Sequence, residues 1–145
     1  MRCSWRRESV RRAQGWIFLS QTAFADLRGE VSELGSTTTV PRHLLRVKNL
    51  QMKTGGFTEF VILPFIHMES PLYLKGKARK GPTFREAVLI HAVSRLVLSP
   101  HFKNIQASWT KLGHEGIKAC LRAGVNDIGG TLMNETITRA AGASH

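Results

Sequence analysis

Cysteine is nearly absent from this chain: Cys3 and Cys120 are the only two in 145 residues. Two cysteines are too few for a disulfide framework, and these two lack the spacing of a metal-ligand set. Acidic residues are also scarce, ten Asp and Glu against 21 Lys and Arg, for a net charge of +11. Such an excess admits nucleic acid, a membrane surface or an anionic substrate as partner, although a generally basic solvated face is the simpler account of it. Apolar runs are short. None approaches the roughly 20 residues that a membrane-spanning helix requires, so no membrane partner is expected. Internal repeats and low-complexity tracts are missing as well.

What is present is one domain's length of chain with an apolar share of 42%, enough for a core. Charge is uneven along it. Residues 1–50 carry nine basic against four acidic side chains, residues 51–100 seven against three, and residues 101–145 five against three. The excess therefore thins as the patterned sequence begins. Residues 1–39 form a basic leader: Arg2, Arg6, Arg7, Arg11 and Arg12 face only Glu8, ahead of the apolar Gly15-Trp16-Ile17-Phe18-Leu19. That composition suits a transit peptide or a wrongly spliced leader, and it leaves localisation open between the cytoplasm and an organelle.

From Val40 the pattern becomes regular. Leu44, Leu45, Val47, Leu50 and Met52, between Pro41 and Gly55-Gly56, predict a helix of about three turns with proline near its start and glycine closing it. Residues 57–63 (Phe-Thr-Glu-Phe-Val-Ile-Leu) predict a strand, nearly continuous in hydrophobicity, as in a parallel sheet covered on both faces. A long loop, residues 65–80, runs through His67-Met68-Glu69 and ends in Lys75-Gly76-Lys77-Ala78-Arg79-Lys80. Loops of that length after a strand are more often functional than idle.

Thr83-Phe84-Arg85-Glu86 is a capping box, the Thr83 hydroxyl and the Glu86 carboxylate satisfying each other's amides. Phe84, Ala87, Val88, Ala92, Leu96 and Val97 are read as the buried stripe of the helix it opens, with Ser99-Pro100 as its stop. A second strand is expected at residues 104–108, a third helix over about 114–123 with Ile117, Cys120 and Leu121 inward, and a glycine cap at Gly124. A third strand follows from Val125, breaking at Gly129-Gly130 into Thr131-Leu132-Met133-Asn134-Glu135. This last stretch reads equally as a glycine-rich turn before a helix.

Helix, strand, helix, strand, helix, strand is an α/β order, and it implies parallel strands joined by crossovers. Three units cannot close a barrel of eight, so the expected fold is an open sheet or the C-terminal portion of a (β/α) TIM-like barrel, incomplete within this chain. Residues 64–69, 106–109 and 129–135 then lie beyond the carboxyl ends of neighbouring strands, where such folds keep their ligands. The substrate-binding candidates are His67, Glu69, Gln106, Ser108, Thr131, Asn134 and Glu135, each of which also suits capping or loop bracing. Trp109 suits ring stacking or core packing. No residue is assigned a catalytic or a metal-binding role.

Several stretches carry a family resemblance. They are Gly55-Gly56-Phe57-Thr58-Glu59-Phe60, Leu63-Pro64-Phe65-Ile66-His67-Met68, Gly81-Pro82-Thr83, residues 104–113 from Asn-Ile-Gln-Ala-Ser-Trp to Leu-Gly, and residues 123–143 through Asn126-Asp127-Ile128-Gly129-Gly130. Together they resemble the C-terminal part of the FO synthase family, in its tyrosine-using half, which belongs to the radical S-adenosylmethionine enzymes of deazaflavin biosynthesis. The likeness runs from about Pro41 to the last residue, with residues 1–35 outside it. It implies a (β/α) barrel with the site at its carboxyl mouth. It further implies a 4Fe-4S cluster and S-adenosylmethionine as cofactors, and tyrosine and 5-amino-6-(D-ribitylamino)uracil as substrates, the hydroxybenzyl group of the first being joined to the second. The rest of the barrel and the second FO synthase activity are the implied partners.

The family's C-x-x-x-C-x-x-C run, whose three thiolates hold three irons and leave the fourth open, has no counterpart here. The chain is therefore expected to bind no cofactor alone, and to be a fragment lacking the cluster-binding part. An inactive truncated remnant is the alternative. A nucleic-acid-binding module is a third reading, disfavoured because the aromatic residues fall in strands and helix stripes rather than between the basic residues.

Overall fold

The computed structural model describes residues 39–76, 80–130, 136–140 and 142. The elements run α1 (Thr39–Thr54), β1 (Glu59–Ile62), α2 (Pro71–Leu74), α3 (Phe84–Leu98), β2 (Asn104–Ala107), α4 (Trp109–Arg122) and α5 (Ile137–Ala140). β1 and β2 pair in parallel, with Phe60 opposite Ile105 and Ile62 opposite Ala107. The α/β order expected from the sequence is present, with parallel strands.

The third strand is not. Residues 125–130 contribute one parallel bridge, Gln106 to Asp127, held by the Ala107 amide on the Asp127 carbonyl at 2.9 Å. The ladder stops there for a local reason: the Asp127 carboxylate accepts from the amide of Gly129 at 2.7 Å. An aspartate that bonds its own backbone two residues on offers the chain a turn in place of a strand.

Where β1 starts is set from outside the strand. Gly55, at φ 58°, ends α1 with its amide on the Gln51 carbonyl at 2.7 Å, a left-handed conformation suited to glycine. The Gln51 carboxamide then accepts from the amide of Phe57 and donates to its carbonyl, both at 2.9 Å. It also donates to the His101 carbonyl at 3.2 Å. Phe57 is thereby paired to a side chain, and the strand begins two residues later than its hydrophobicity predicts.

The core lies between the sheet and the three long helices. Leu44 and Val47 of α1, Phe60 of β1, Leu98 of α3, Ile105 and Ala107 of β2, and Ile117 and Cys120 of α4 meet there with Phe102 and Val125. Because side chains alternate along a strand, Phe60, Ile62, Ile105 and Ala107 take the helix-covered face, and Glu59, Val61, Asn104 and Gln106 take the other. One face is thus apolar and the other largely polar.

α3 departs from the expected stripe. Its buried residues are Ala87, His91, Ser94 and Leu98, while Phe84 and Leu96 are exposed. The helix is apolar nearly all round, so its sequence does not fix which side turns inward; packing does. His91 is fully buried, with Nδ1 on the Ala87 carbonyl at 2.6 Å, and burial pushes its pKa down. Its Nε2 and the Ser94 hydroxyl have no hydrogen-bond partner among the described residues. The capping box at Thr83 and Glu86 forms as read.

α4 is two pieces joined at Gly113, whose φ of 63° and ψ of 178° are not helical. The second piece is the helix expected from His114. The first, beginning at Trp109, had no periodic signal because it is a single turn.

Candidate functional site at the carboxyl ends of the strands

The loop after β1 holds His67 and Glu69. Here the chain doubles back: Gly81 lies so close to the Phe65 carbonyl that a Cβ on it would sit 2.0 Å from that oxygen. This approach brings the Gly81 amide to Nδ1 of His67 at 3.1 Å. On its other side the His67 ring meets Tyr73 of α2 edge-on, with centroids 4.8 Å apart. α2 itself is a short helix within the expected loop, whose residues 77–79 lie outside the described residues. Gly142 packs on the same segment, since a Cβ there would be 2.9 Å from the Met68 Cβ and 3.4 Å from the Glu69 Cγ. The chain after α5 therefore returns to the loop after β1.

A second group forms beyond β2. The Gln106 carboxamide lies against Gly129, a Cβ there falling 3.2 Å from Oε1. The indole N–H of Trp109 donates to the Gly130 carbonyl at 3.3 Å, leaving the ring partly exposed. Ser108 is less available: its hydroxyl pairs with that of the buried Thr110 at 3.2 Å. Of the seven candidates, then, His67 and Glu69 share one loop, and Gln106 and Ser108 share the end of β2. No hydrogen bond joins the two pairs among the described residues. Thr131, Asn134 and Glu135 lie outside the described residues.

Asn126, which opens the glycine-bearing motif, sits at the opposite end of the sheet. Its Oδ1 accepts from the guanidinium of Arg95 and from the Ile105 amide, and its Nδ2 donates to the Lys103 carbonyl. Arg95 adds bonds to the carbonyls of Gly124 and Lys103. This network ties α3, the start of β2 and residues 124–126 together, a stabilising task at the amino end of the strands.

Two acidic residues escaped the sequence reading. Glu59 and Asp127 are on the face of the sheet away from the helices, in line with Asn104 and Gln106. Burial first, and the Asp127 charge second, push the Glu59 pKa up. The available signal was the single carboxylate at an alternating position in an otherwise apolar strand. A raised folded-state pKa means that stability is full below the unfolded value and is lost as pH rises through the folded one. Glu59→Gln, which cannot ionise, is therefore expected to raise the melting temperature slightly at pH 7 and to lose that advantage near pH 4. Melts at both pH values check this, and a variant less stable than the parent at pH 7 would contradict it.

The described residues do not fit an iron-sulfur cluster. Cys120 is fully buried in the core, and burial pushes its thiol pKa up, away from the thiolate that a metal requires. No group of three or more His, Cys, Asp or Glu among the described residues is placed to hold a metal ion. No helix among them is long and apolar enough to cross a membrane.

Comparison with known proteins bears on these loops directly. The family model for the CofH/MqnC C-terminal region matches residues 54–145, which include every candidate residue above. The FO synthase of Streptomyces coelicolor is 49% identical over 138 residues, covering 92% of this chain and 16% of its own length. That coverage necessarily takes in part of residues 1–39. The FO synthase of Mycobacterium leprae is 47% identical over 90% of the chain and 16% of its own length. A protein of Methanocaldococcus jannaschii named 5-amino-6-(D-ribitylamino)uracil--L-tyrosine 4-hydroxyphenyl transferase is 50% identical over 71% of the chain and 29% of its own length. The chain thus spans about a sixth of the FO synthases and under a third of the transferase. No solved structure matches it at a significant level. With a family model covering more than half of its residues and relatives near half identity, the chain belongs to the CofH/MqnC C-terminal region family.

Proposed function

We propose that residues 40–145 form the C-terminal portion of a (β/α) barrel in an FO synthase-type enzyme, and that they supply part of the wall that receives tyrosine and 5-amino-6-(D-ribitylamino)uracil. The observation that carries this is the half identity to a transferase named for those two compounds. It is supported by parallel strands with His67 in the loop after β1 and Gln106 near the carboxyl end of β2. Radical chemistry needs a cluster that these residues do not fit, so it falls to another part of the barrel.

The work left to this segment is binding and orientation. Gln106, Ser108, Thr131 and Asn134 offer amides and hydroxyls for ring edges, ribityl hydroxyls or the amino-acid head. Glu69 and Glu135 offer carboxylates for an ammonium. A site that pairs such groups with its substrate rejects analogues that leave them unpaired. Nucleic-acid binding draws no support from Phe60 and Phe102, which are buried and meet edge-on within the core.

The test is a chimaera in which residues 40–145 replace the corresponding segment of the Streptomyces coelicolor FO synthase. Deazaflavin product within about tenfold of the parent's rate is expected, a margin of about 1.4 kcal/mol at the barrier. A soluble chimaera with normal cluster absorbance and no product would overturn the proposal and mark the segment as a remnant.

A further inference from the structure

The Gly81 amide donates to Nδ1 of His67, and a nitrogen that accepts a hydrogen bond carries no hydrogen of its own. In the neutral imidazole the single N–H must then be at Nε2. The bond is not incidental. Gly81 reaches it by crossing the Phe65 carbonyl at a distance no side chain would allow, and Tyr73 packs edge-on against the ring. The ring is thus held on two sides, half-buried, five residues beyond β1. Its Nε2 makes no hydrogen bond among the described residues.

We propose that His67 is a fixed-tautomer donor that presents Nε2–H to an acceptor oxygen of the bound substrate, and that the Gly81 amide is what fixes the tautomer. This rests on the reading of the segment as part of the substrate-receiving wall. The acceptor is an anionic or carbonyl oxygen, since a donor-only nitrogen selects against ammonium groups. Two sources offer one: the carboxylate of tyrosine and the ring carbonyls of the pyrimidinedione.

Two substitutions separate the two nitrogens. His67→Asn places an acceptor near Nδ1, keeping the bond from Gly81 while removing the Nε2 donor. His67→Gln places an amide N–H near Nε2 and keeps the donor. In the active chimaera, His67→Asn is expected to raise KM for one substrate roughly tenfold to a hundredfold, the size of a lost bond to a charged acceptor. His67→Gln is expected to restore most of that loss. A rise confined to tyrosine identifies its carboxylate as the acceptor, and one confined to the pyrimidinedione identifies its carbonyl. Unchanged KM values for both substrates with His67→Asn would overturn the inference while leaving the functional reading intact, whereas an inactive chimaera with native His67 overturns that reading itself. The tautomer is read separately on the 145-residue chain, by nitrogen-15 resonances of the His67 ring. A hydrogen at Nε2 is the expected result, and one at Nδ1 ends the proposal whatever the kinetics.

Discussion

Gly81→Ala is expected to destabilise the fold by about 3 kcal/mol, the upper range for forcing extra volume into a packed site. An added Cβ would sit 2.0 Å from the Phe65 carbonyl oxygen and 3.2 Å from its carbon. Both are backbone atoms, so no rotamer change relieves the contact. Residues 80–82 must swing away, and the bond from the Gly81 amide to His67 goes with them. In a domain of this size the loss lowers the melting temperature by roughly 10 °C or more. Gly130→Ala is the control, because a Cβ there meets nothing within 4 Å and the backbone is not in the left-handed region; it should stay within about 0.5 kcal/mol of the parent. Equal melting temperatures for the two variants would show that the crossing at Phe65 does not constrain the loop.

Phe102→Ala should cost more, about 4 kcal/mol, as a buried aromatic truncation leaves both lost transfer energy and a cavity. Phe102 is 1% exposed. It stacks on Phe57 at 5.8 Å with planes 15° apart, and meets Phe60 edge-on at 5.9 Å and 69°. One ring therefore joins the turn before β2 to the first half of β1 and to the residue two positions ahead of it. Domains of this kind hold only about 5–15 kcal/mol in total, so the variant should unfold at a much lower urea concentration. Leu96→Ala, at a residue 79% exposed on α3, removes more aliphatic surface than a methyl group yet should move the midpoint little. A cost below about 1 kcal/mol for Phe102→Ala would mean that the core collapses around the gap.

The two sites differ in how they could have been foreseen. Phe102 follows a proline and a histidine outside any periodic stretch, so pattern alone gave it no place in the core; it is buried because the turn after α3 folds back over β1. Gly81 sits in a Gly81-Pro82-Thr83 run that reads as a helix entry, and that entry forms. What the run does not reveal is that residue 65 passes beneath it. The α3 stripe shows the same limit, since a helix apolar on most sides buried His91 and Ser94 while leaving Phe84 and Leu96 outside.

By itself, the amino-acid order determined the alternation of helices and strands, the capping box at Thr83, the close of α1 at Gly55, and the family. Each of these depends on neighbours within a few positions, or on a matched run of residues. Only the tertiary structure decided that Asn126 braces the amino end while Gln106 meets Gly129 at the other, and that the Gly81 amide reaches His67. Those outcomes depend on contacts between residues 14 to 29 or more positions apart in sequence, as in the Gly81 to His67 and Arg95 to Gly124 bonds. Local propensity carries no information about which distant backbone group will arrive to complete a hydrogen bond.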